Sequence, residues 1–419
     1  MKAYSLFSLA CLVMFSLTFS AHGEEWPQYR GPVGDGKSAE SIDDHISWKG
    51  GPAVVWKSET PLGFSSFCVA ENLATTLIAI DEKEYCLALD ARTGEELWRA
   101  PLGSNAYNGG GGNAGAPGNR GGDGPRSTPA SDGQNVFVYD SHLVLYSLDA
   151  ASGKVNWKHD VVAENAGRNI KWSNATSPLL DGSKIYLSGG GPGQSFLAFD
   201  KNSGKVLWKS GDELMTHATP SIGTVSGSKQ LVYFMQSGLV GVDPESGTEK
   251  WRAKFDFSVS TAASPVLFES MVYCSAGYGV GAALFNITGA KEADELWYKP
   301  NELMNHWSSP LIKDGYLYGV YEFKKYGKAP LQCVNLKTGE IVWSERGFGP
   351  GNCILVGDKL VVLSDTGEVA IVKASPDGYN ELARAKVIDG KCWSTPAFSD
   401  GKIFVRSTTE AACIDVSSF

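Results

Sequence analysis

The sequence predicts an all-β fold, an eight-bladed β-propeller of four-stranded antiparallel blades, and three observations predict it. A turn phrase occurs five times, made of an acid or amide, two residues, Ser or Thr, Gly, and then Trp four residues further on. A Ser/Thr-Pro phrase recurs upstream of it. Successive tryptophans lie 43 to 59 residues apart, which is close to the length of one four-stranded blade.

The turn phrase predicts a tight hairpin between the last two strands of each unit. Its acid or amide accepts hydrogen bonds from its own turn, and its Gly supplies a positive φ. The Trp that follows lies on the outer strand, where a large ring covers the gap between neighbouring sheets. The acids are therefore interpreted as turn formers and not as catalysts. The five copies begin at Asp90, Asp149, Asp200, Asp243 and Asn335.

The Ser/Thr-Pro phrase marks the start of each inner strand, because Pro is tolerated in a sheet only at a strand start or edge. Unit seven departs from the pattern, since Cys353 replaces the Pro and no Trp follows 373–379. Counting this weaker unit, eight units are expected. They start near Phe64, Arg126, Thr176, His217, Thr261, His306, Gly351 and Trp393.

The two ends of the chain are complementary. The last unit stops after Asp415 without an outer strand, whereas the strand at 53–57, which contains Trp56, has no unit of its own. Pairing the two closes the ring and removes its exposed sheet edges. The predicted domains are a signal peptide at 1–23, an N-terminal extension at 24–52 and the propeller at 53–419.

The first residues are interpreted as a secretory signal. Lys2 precedes an apolar run from 3 to 19, and Ala21-His22-Gly23 has the small residues of a cleavage site. The alternative is an uncleaved N-terminal anchor. A periplasmic or extracellular protein is expected, with no membrane-spanning segment after cleavage.

Charge and cysteine usage exclude several function classes. The net charge of −9 argues against nucleic-acid binding, which needs a basic face. The seven cysteines after the signal form no CxxC pair, which argues against a zinc ribbon, an attached haem or a thioredoxin-like dithiol. We expect these cysteines to be small buried residues, and one disulfide bond between two of them is the alternative. No pattern suggests an oligomer, so a monomer is expected.

Equivalent positions in the eight units should line one mouth of the propeller channel. We compare the position three residues before each Pro, using Phe67 and Cys353 where the Pro is missing. The residue type at this position differs widely among the eight units. It holds Phe64, Arg126, Ala175, His217, Ala262, Trp307, Pro350 and Trp393.

The predicted ligand-binding residues are taken from this register and its neighbours. Trp rings would stack on a flat ligand, Arg126 would bind a carboxylate, and a His could transfer protons. The alternative is that these residues only plug the channel. No catalytic residue and no metal ligand is assigned, because no two His lie at ligand spacing. The candidates are Arg126, Trp172, Asn174, His217, Asn305, His306, Trp307 and Trp393.

These phrases resemble the tryptophan-docked repeats of the quinoprotein dehydrogenase-like superfamily, and more closely a family of secreted bacterial PQQ-like β-propeller proteins. The segments that carry the resemblance are residues 26–32, 124–129, 305–310 and 390–396, so the resemblance extends over essentially the whole mature chain. A shared propeller does not establish shared chemistry.

The resemblance implies two different functions. PQQ-dependent alcohol dehydrogenases hold PQQ beside a vicinal disulfide, with Ca²⁺ bound by Glu, Asn and Asp. This chain has no vicinal cysteines. The propeller scaffold of the outer-membrane β-barrel assembly machinery is non-catalytic and similar in length. We therefore expect a secreted binding or scaffold propeller whose partner is a protein or a small molecule. A quinoprotein oxidoreductase with PQQ and Ca²⁺ is the alternative.

Overall fold

A computed structural model describes residues 23–106, 124–258, 261–289 and 291–417. The described residues form eight sheets arranged as an eight-bladed propeller, which confirms the predicted fold. Each blade has four antiparallel strands, and one sheet carries a fifth strand from the N-terminal extension. The one helix among them is α1 (Val161–Asn165). Nearly all of the predicted signal peptide, and residues 107–123, lie outside the described residues.

The strands nearest the channel are short, and neighbouring ones contact each other around the ring. These inner strands are β3 (Cys68–Ala70), β7 (Ala130–Ser131), β11 (Leu179–Asp181), β15 (Ser221–Val225), β19 (Val266–Phe268), β23 (Leu311–Lys313), β27 (Asn352–Val356) and β31 (Ala397–Ser399). The second strands are β4 (Leu73–Ile80), β8 (Asn135–Tyr139), β12 (Lys184–Ser188), β16 (Ser228–Met235), β20 (Met271–Ala276), β24 (Tyr316–Val320), β28 (Lys359–Leu363) and β32 (Lys402–Arg406).

The third strands are almost wholly buried, whereas the fourth strands form the outer rim. The third strands are β5 (Lys83–Asp90), β9 (Val144–Asp149), β13 (Phe196–Asp200), β17 (Gly238–Val242), β21 (Gly281–Asn286), β25 (Leu331–Asn335), β29 (Glu368–Lys373) and β33 (Glu410–Asp415). The outer strands are β6 (Glu96–Ser104), β10 (Val155–Asp160), β14 (Val206–Ser210), β18 (Glu249–Lys254), β22 (Asp294–Pro300), β26 (Ile341–Glu345), β30 (Glu381–Lys386) and β2 (Ala53–Glu59).

Blades are numbered here from the inner strand β3, so β31 begins blade eight. Strand β2 pairs antiparallel with β33 and supplies the missing outer strand of blade eight, with Trp56 opposite Cys413. The predicted closure is therefore confirmed. Blade seven, for which the sequence evidence was weaker, is a complete four-stranded sheet formed by β27 to β30.

The docked tryptophans join neighbouring blades. Trp98 Nε1 donates to the Ala150 carbonyl at 2.8 Å. Ala150 belongs to the next blade and directly follows the turn acid Asp149. Trp56, Trp157, Trp208, Trp297 and Trp343 dock in the same way.

The turn glycines pack against these indole rings. A Cβ built on Gly153 would lie 2.6 Å from the Trp98 ring, and the φ of Gly153 is +68°. The phrase therefore needs Gly both for its positive φ and for the close approach of the ring.

Trp251 has a different hydrogen-bond partner. Its Nε1 donates to Gln230 Oε1 at 2.7 Å within its own blade, and the side chain is fully buried. Its ring belongs to a core cluster that also contains Phe285 and Ile287 of blade five, so only the indole N–H departs from the docking scheme.

The hydroxyl at or equivalent to the position before Pro has a role that the sequence did not reveal. At five blade junctions of the described chain it accepts the backbone N–H of the equivalent residue in the preceding blade, which links those inner strands; Ser264 Oγ makes no such bond. Thr395 N donates to Ser66 Oγ at 2.8 Å, and Ser66 N donates to Thr128 Oγ1 at 3.0 Å. The same bond joins Thr128 to Ser177, Ser177 to Thr219, and Ser264 to Ser309.

The N-terminal extension crosses the channel and closes one end of it. Trp26 bridges to Val69 in blade one, and Arg30 Nη1 donates to the Ser309 carbonyl of blade six at 3.0 Å. Strand β1 (Lys37–Ser38) then pairs parallel with β27 in blade seven. Because these blades lie on different sides of the ring, the extension spans the channel between them.

Candidate functional site

A cavity of about 640 Å³ lies at one mouth of the channel. Tyr29, from the extension that crosses the channel, is among its lining residues, so the extension forms part of the cavity wall. The remaining lining residues come from the blades and their loops. They are Phe64, Ser66, Arg126, Trp172, Ala175, Ser177, His217, Thr219, Ala262, Tyr278, His306, Trp307, Phe323, Lys324, Tyr326, Trp393 and Thr395.

The structure places six of the eight predicted site residues in this lining and two outside it. The six are Arg126, Trp172, His217, His306, Trp307 and Trp393. Asn174 Nδ2 donates to the carbonyls of Asp140 and Thr176, at 3.2 and 3.1 Å. Asn305 Nδ2 donates to the Val320 carbonyl at 3.0 Å. Both amides are fully buried and hold the backbone, so neither belongs to the cavity.

One side of the cavity is an aromatic wall, which we define as Phe64, Trp307, Tyr326 and Trp393. Trp393 is its centre. Its ring centroid lies 5.0 Å from that of Phe64 and 4.4 Å from that of Trp307, at interplanar angles of 25° and 30°. Tyr326 is nearly parallel to Trp393 at 6.1 Å. The rings of Phe64, Trp307 and Tyr326 therefore stack against Trp393 and hold it in place.

His306 connects the wall to a second group of rings. Its ring lies 5.0 Å from both Trp307 and Phe323, and 5.2 Å from Tyr278. Tyr278 comes from the loop at 277–280. Phe323 and Tyr326 come from the loop at 321–330, between β24 and β25. The sequence analysis missed these three residues, because they belong to individual loops and not to the repeat.

Cationic side chains surround the mouth. Arg126 Nη1 donates to the Trp172 carbonyl at 3.1 Å. Lys391 Nζ lies 3.8 Å from the centroid of Trp393, and Lys324 Nζ lies 4.6 Å from that of Tyr278, both within cation–π range. Among the described lining residues none is Asp or Glu. The cavity is therefore aromatic and positively charged, in a chain whose net charge is −9.

His217 is buried in the lining and neutral. Burial lowers its pKa to about 3, with the nearby charges of Arg126 and His306 acting in the same direction. His217 Nε2 lies 2.7 Å from the Ser173 carbonyl, which fixes Nε2 as the protonated nitrogen. A group with such a low pKa is a poor proton acceptor at neutral pH. The suggested proton-transfer role therefore gains no support at His217.

Two carboxyl groups lie behind the lining, near Arg126. Burial raises the pKa of Glu84 to about 8, helped by the negative charge of Asp140, and burial raises the pKa of Asp140 to about 6. Glu84 binds both the Ser141 backbone N–H and the Ser141 hydroxyl. These groups are hydrogen-bonded inside the protein and do not face the cavity.

The seven cysteines of the described residues are all buried thiols, and no disulfide links them. Burial raises the pKa of Cys68 and Cys353 to about 12 in each case. At neutral pH these thiols are protonated and behave as small apolar residues.

The side chains that line the cavity fit the PQQ ring of the implied cofactor but not its Ca²⁺. Its aromatic side chains and its cations suit a planar ring that carries carboxylates, as PQQ does. Ca²⁺ prefers carboxylate and amide oxygens. The lining supplies no carboxylate, and the described residues contain no group of three His, Cys, Asp or Glu able to hold a metal ion. We derive no reaction step through PQQ or Ca²⁺.

Comparison with known proteins decides the family. A family model described as outer membrane protein assembly factor BamB matches residues 82–345, which is more than half of the chain. The chain belongs to this family.

One curated relative is the outer membrane protein assembly factor BamB of Yersinia pestis. It is 23% identical over 283 residues, which make up 62% of this chain and 66% of the relative. The match thus spans just under two thirds of the relative's length.

Two solved structures share the propeller. The quinohemoprotein alcohol dehydrogenase of Comamonas testosteroni has a TM-score of 0.69 at 11% identity, covering 94% of this chain and 81% of that one. BamB from Moraxella catarrhalis has a TM-score of 0.59 at 14% identity, covering 86% and 97%. At these identities the likeness concerns the fold alone.

No helix in the part of the chain that the structure describes is long and apolar enough to cross a bilayer.

Proposed function

We propose that this protein is a binding propeller whose mouth cavity holds a flat, anionic organic ligand. The observation that carries the proposal is the combination of the aromatic wall with Arg126 in a cavity that the extension helps to enclose. A cavity of about 640 Å³ is in the size range of small-molecule sites. Flat rings pack against the wall, and the guanidinium of Arg126 binds a carboxylate through paired N–H donors.

The test compares ligand binding by the wild type with binding by a variant in which a larger side chain fills the cavity. Ala175 lies in the lining, and Ala175→Phe adds a ring to the cavity without removing any charge. We expect naphthalene carboxylate, a flat anionic probe, to bind the wild type and to bind Ala175→Phe at least tenfold more weakly. Ala151→Phe, in an exposed turn at the other end of the blades, is the matched control. Equal affinity for all three proteins would refute the proposal.

Export supports this role, and we propose a periplasmic or extracellular location. The apolar run at 3–19 and the small residues at 21–23 support it. The check is the N-terminal residue of the protein recovered from the cell: cleavage after residue 23 is expected.

Membership of the BamB family favours a second candidate, a scaffold in outer-membrane protein assembly. This role would use the outer surface and leave the cavity unused. Deleting the gene should then lower the amount of outer-membrane proteins, and the cavity-filled variant Ala175→Phe should restore it as well as the wild type does. If Ala175→Phe fails to restore the amount while Ala151→Phe succeeds, the cavity is required.

The oxidoreductase candidate needs PQQ, and it is supported only by the fold and by the aromatic, cationic cavity. Titration with PQQ, with and without Ca²⁺, followed by dye reduction with alcohols, tests it. Because the lining offers Ca²⁺ no carboxylate, we expect any PQQ binding to be independent of Ca²⁺ and to give no dye reduction. Alcohol-dependent turnover that is lost in both Arg126→Gln and Trp393→Phe would instead favour the enzyme.

A further inference from the structure

The beginning of the extension is fixed by hydrogen bonds that start at residue 24. Glu24 N donates to Glu40 Oε1 at 2.9 Å, and Glu24 Oε2 accepts the Ala39 N–H at 2.8 Å. Trp26 and Val69 exchange two backbone hydrogen bonds, of 2.9 and 2.8 Å. The chain is therefore docked from the residue that directly follows the expected cleavage site.

The carboxylate of Glu40 joins this segment to blade eight. Its Oε1 also accepts the Asp400 N–H at 3.1 Å, and its Oε2 accepts the Gly401 N–H at 3.0 Å. Asp400 and Gly401 form the turn between β31 and β32. One carboxylate thus holds the backbone of residue 24 against the turn of the blade that the chain closes last.

Gly23 lies against the same turn. A Cβ built on Gly23 would lie 2.5 Å from Asp400 Cα and 2.7 Å from Asp400 Oδ1. The peptide bond between residues 23 and 24 therefore lies beside two carboxylates, those of Glu40 and Asp400.

The charged groups around this peptide bond are of both signs, and acids outnumber bases. Besides Glu40, those that line a pocket of about 60 Å³ beside Gly23 are Glu25, Glu71, Arg92, Asp400 and Lys402. Arg92 is paired with Asp90 at 3.1 Å, and Lys402 is paired with Asp400 at 3.1 Å. The bonds of Glu40 described above come from backbone N–H groups, so a cation at residue 24 would find an acid in contact with it.

Building on the proposed cleavage after residue 23, we infer that this site binds the α-ammonium group of Glu24 as an ion pair with Glu40. An export peptidase hydrolyses the bond between residues 23 and 24 with one water molecule. Gly23 leaves with a carboxylate, and Glu24 keeps the nitrogen as an ammonium group. The amide nitrogen has one N–H for Glu40, whereas the ammonium has three, which can reach Glu40 and Asp400 together. Opposite charge also strengthens the existing bond.

The ion pair links processing to the docking of the extension. In the unprocessed chain the nitrogen of residue 24 is a neutral amide, and it binds Glu40 without a charge. After cleavage the same nitrogen is held by charge, five residues before Tyr29 enters the cavity wall. The processed chain should therefore hold its extension across the channel more firmly than the unprocessed one.

The experiment compares two purified forms of the protein, both released from a fusion partner without added residues. One begins at Glu24, and the other keeps residues 21–23. An exposed α-amino group has a pKa of about 8, and a neighbouring carboxylate should make it bind its proton about tenfold more tightly. This proton affinity is measured from the pH dependence of N-terminal acetylation, followed by mass spectrometry.

The stability of the two forms gives a second measurement. Because the ion pair raises the pKa of the α-amino group in the folded state, its stabilisation is present below pH 8 and is lost as the pH rises further. In urea at pH 7 the form that begins at Glu24 should have an unfolding equilibrium constant about tenfold smaller than the longer form. Above about pH 10, where the ammonium group is neutral, the two forms should be equally stable.

Glu40→Gln tests the partner, because it keeps an oxygen acceptor and removes the charge. It should return the proton affinity of the α-amino group to the ordinary value and abolish the difference between the two forms. Glu25→Gln is the matched control, since Glu25 lies in the same segment but accepts the Glu71 N–H. It should keep most of both effects.

If the α-amino group binds its proton equally in the wild type and in Glu40→Gln, or if the two forms are equally stable at pH 7, the inference is wrong while the proposed cleavage stands. If the protein recovered from the cell begins at a residue other than 24, both are wrong. Neither outcome affects the proposed ligand site, which is tested separately.

Discussion

At the scale of single residues, the repeat assigns the conspicuous side chains fixed partners, some in their own turn and some in a neighbouring blade. The turn acids accept N–H groups from their own turns, as Asp90 does from Arg92 and Thr93. The docked indoles donate to turn carbonyls of the next blade, and hydroxyls such as Ser177 Oγ accept the inner-strand N–H of the preceding blade. Side chains outside this scheme, such as Arg126 and Trp393, supply the cationic and aromatic part of the cavity lining.

The first prediction concerns an indole hydrogen bond. Trp98→Phe keeps a ring between blades one and two but removes the donor to the Ala150 carbonyl. We expect a loss of about 1 kcal/mol in the free energy of unfolding, measured by urea denaturation. The control is Leu97→Ala, next to it on the exposed outer strand, which should cost less than about 0.5 kcal/mol. If both cost the same, the bond contributes nothing.

The second prediction concerns the pH dependence of stability. The pKa of Glu84 is raised to about 8 in the folded protein, above its usual value of 4.5. Between these values the folded state binds more protons than the unfolded state, so stability falls as the pH rises. Glu84→Gln removes this contribution and should gain about 1 kcal/mol or more relative to the wild type between pH 5 and pH 8.

The measurement is the unfolding free energy at several pH values. Glu96→Gln, on the exposed outer strand β6, is the control and should keep the wild-type slope. A slope in Glu84→Gln identical to that of the wild type would show that Glu84 does not titrate in this range.

At the scale of elements, the turn between the third and outer strands decides how the blades fit together. Its Gly provides both the left-handed backbone and the space for the indole of the preceding blade. Blade five lacks this turn, and there Trp251 donates to Gln230 within its own blade. Blade seven also lacks it, yet Trp343 docks on the Ser375 carbonyl of that blade, so the phrase favours outward docking without being required for it.

The third prediction separates these two roles of Gly. Gly204 has φ +68°, and a Cβ there would lie 2.6 Å from the Trp157 ring, whereas Gly182 has φ +59° and no atom within 4 Å. Gly182→Ala should cost about 1 kcal/mol for the backbone alone. Gly204→Ala should cost at least twice as much, because the ring must also move. Equal costs in chemical denaturation would mean that the ring adapts freely.

At the scale of the whole molecule, the chain closes its ring with its own N-terminal strand and then closes the channel with its extension. Strand β2 completes blade eight, and Trp56 docks on the turn of blade one. Arg406 strengthens this junction: its fully buried guanidinium donates to Thr76 Oγ1 at 2.7 Å and to the Leu77 carbonyl. Closure therefore depends on contacts between the two ends of the sequence.

The fourth prediction concerns this junction. Trp56→Ala removes the buried indole and should cost about 3 to 5 kcal/mol. Hydrogen exchange should accelerate first in β31 to β33 and in the turn of blade one, because the weakened interface lies there. Trp343→Ala, at the interface of blades six and seven, should instead accelerate exchange around that interface. Uniform acceleration in both variants would show that the ring opens only as a whole.

The sequence by itself determined the number of blades, the closure by an N-terminal strand and the ring of aromatic and cationic residues at one mouth. It could do so because turn chemistry, Pro positions and repeat spacing are local properties that each blade repeats. Four of the six predicted site residues that line the cavity belong to that register, and the other two, Trp172 and His306, lie close to it in sequence. The register failed at Asn174 and Asn305, which lie beside it in sequence but turn inward to bind backbone carbonyls.

Only the tertiary structure decided the shape and charge of the cavity. Tyr278, Lys324 and Tyr326 lie in loops that occur in single blades, so the repeat does not predict them. They line the same cavity as Trp393, and Tyr326 packs against its ring, only when the ring of blades closes. Tyr29 reaches the cavity because the extension crosses the channel. The physical reason is that blades are specified by contacts close in sequence, whereas the cavity is formed by side chains from distant blades that the closed ring brings together.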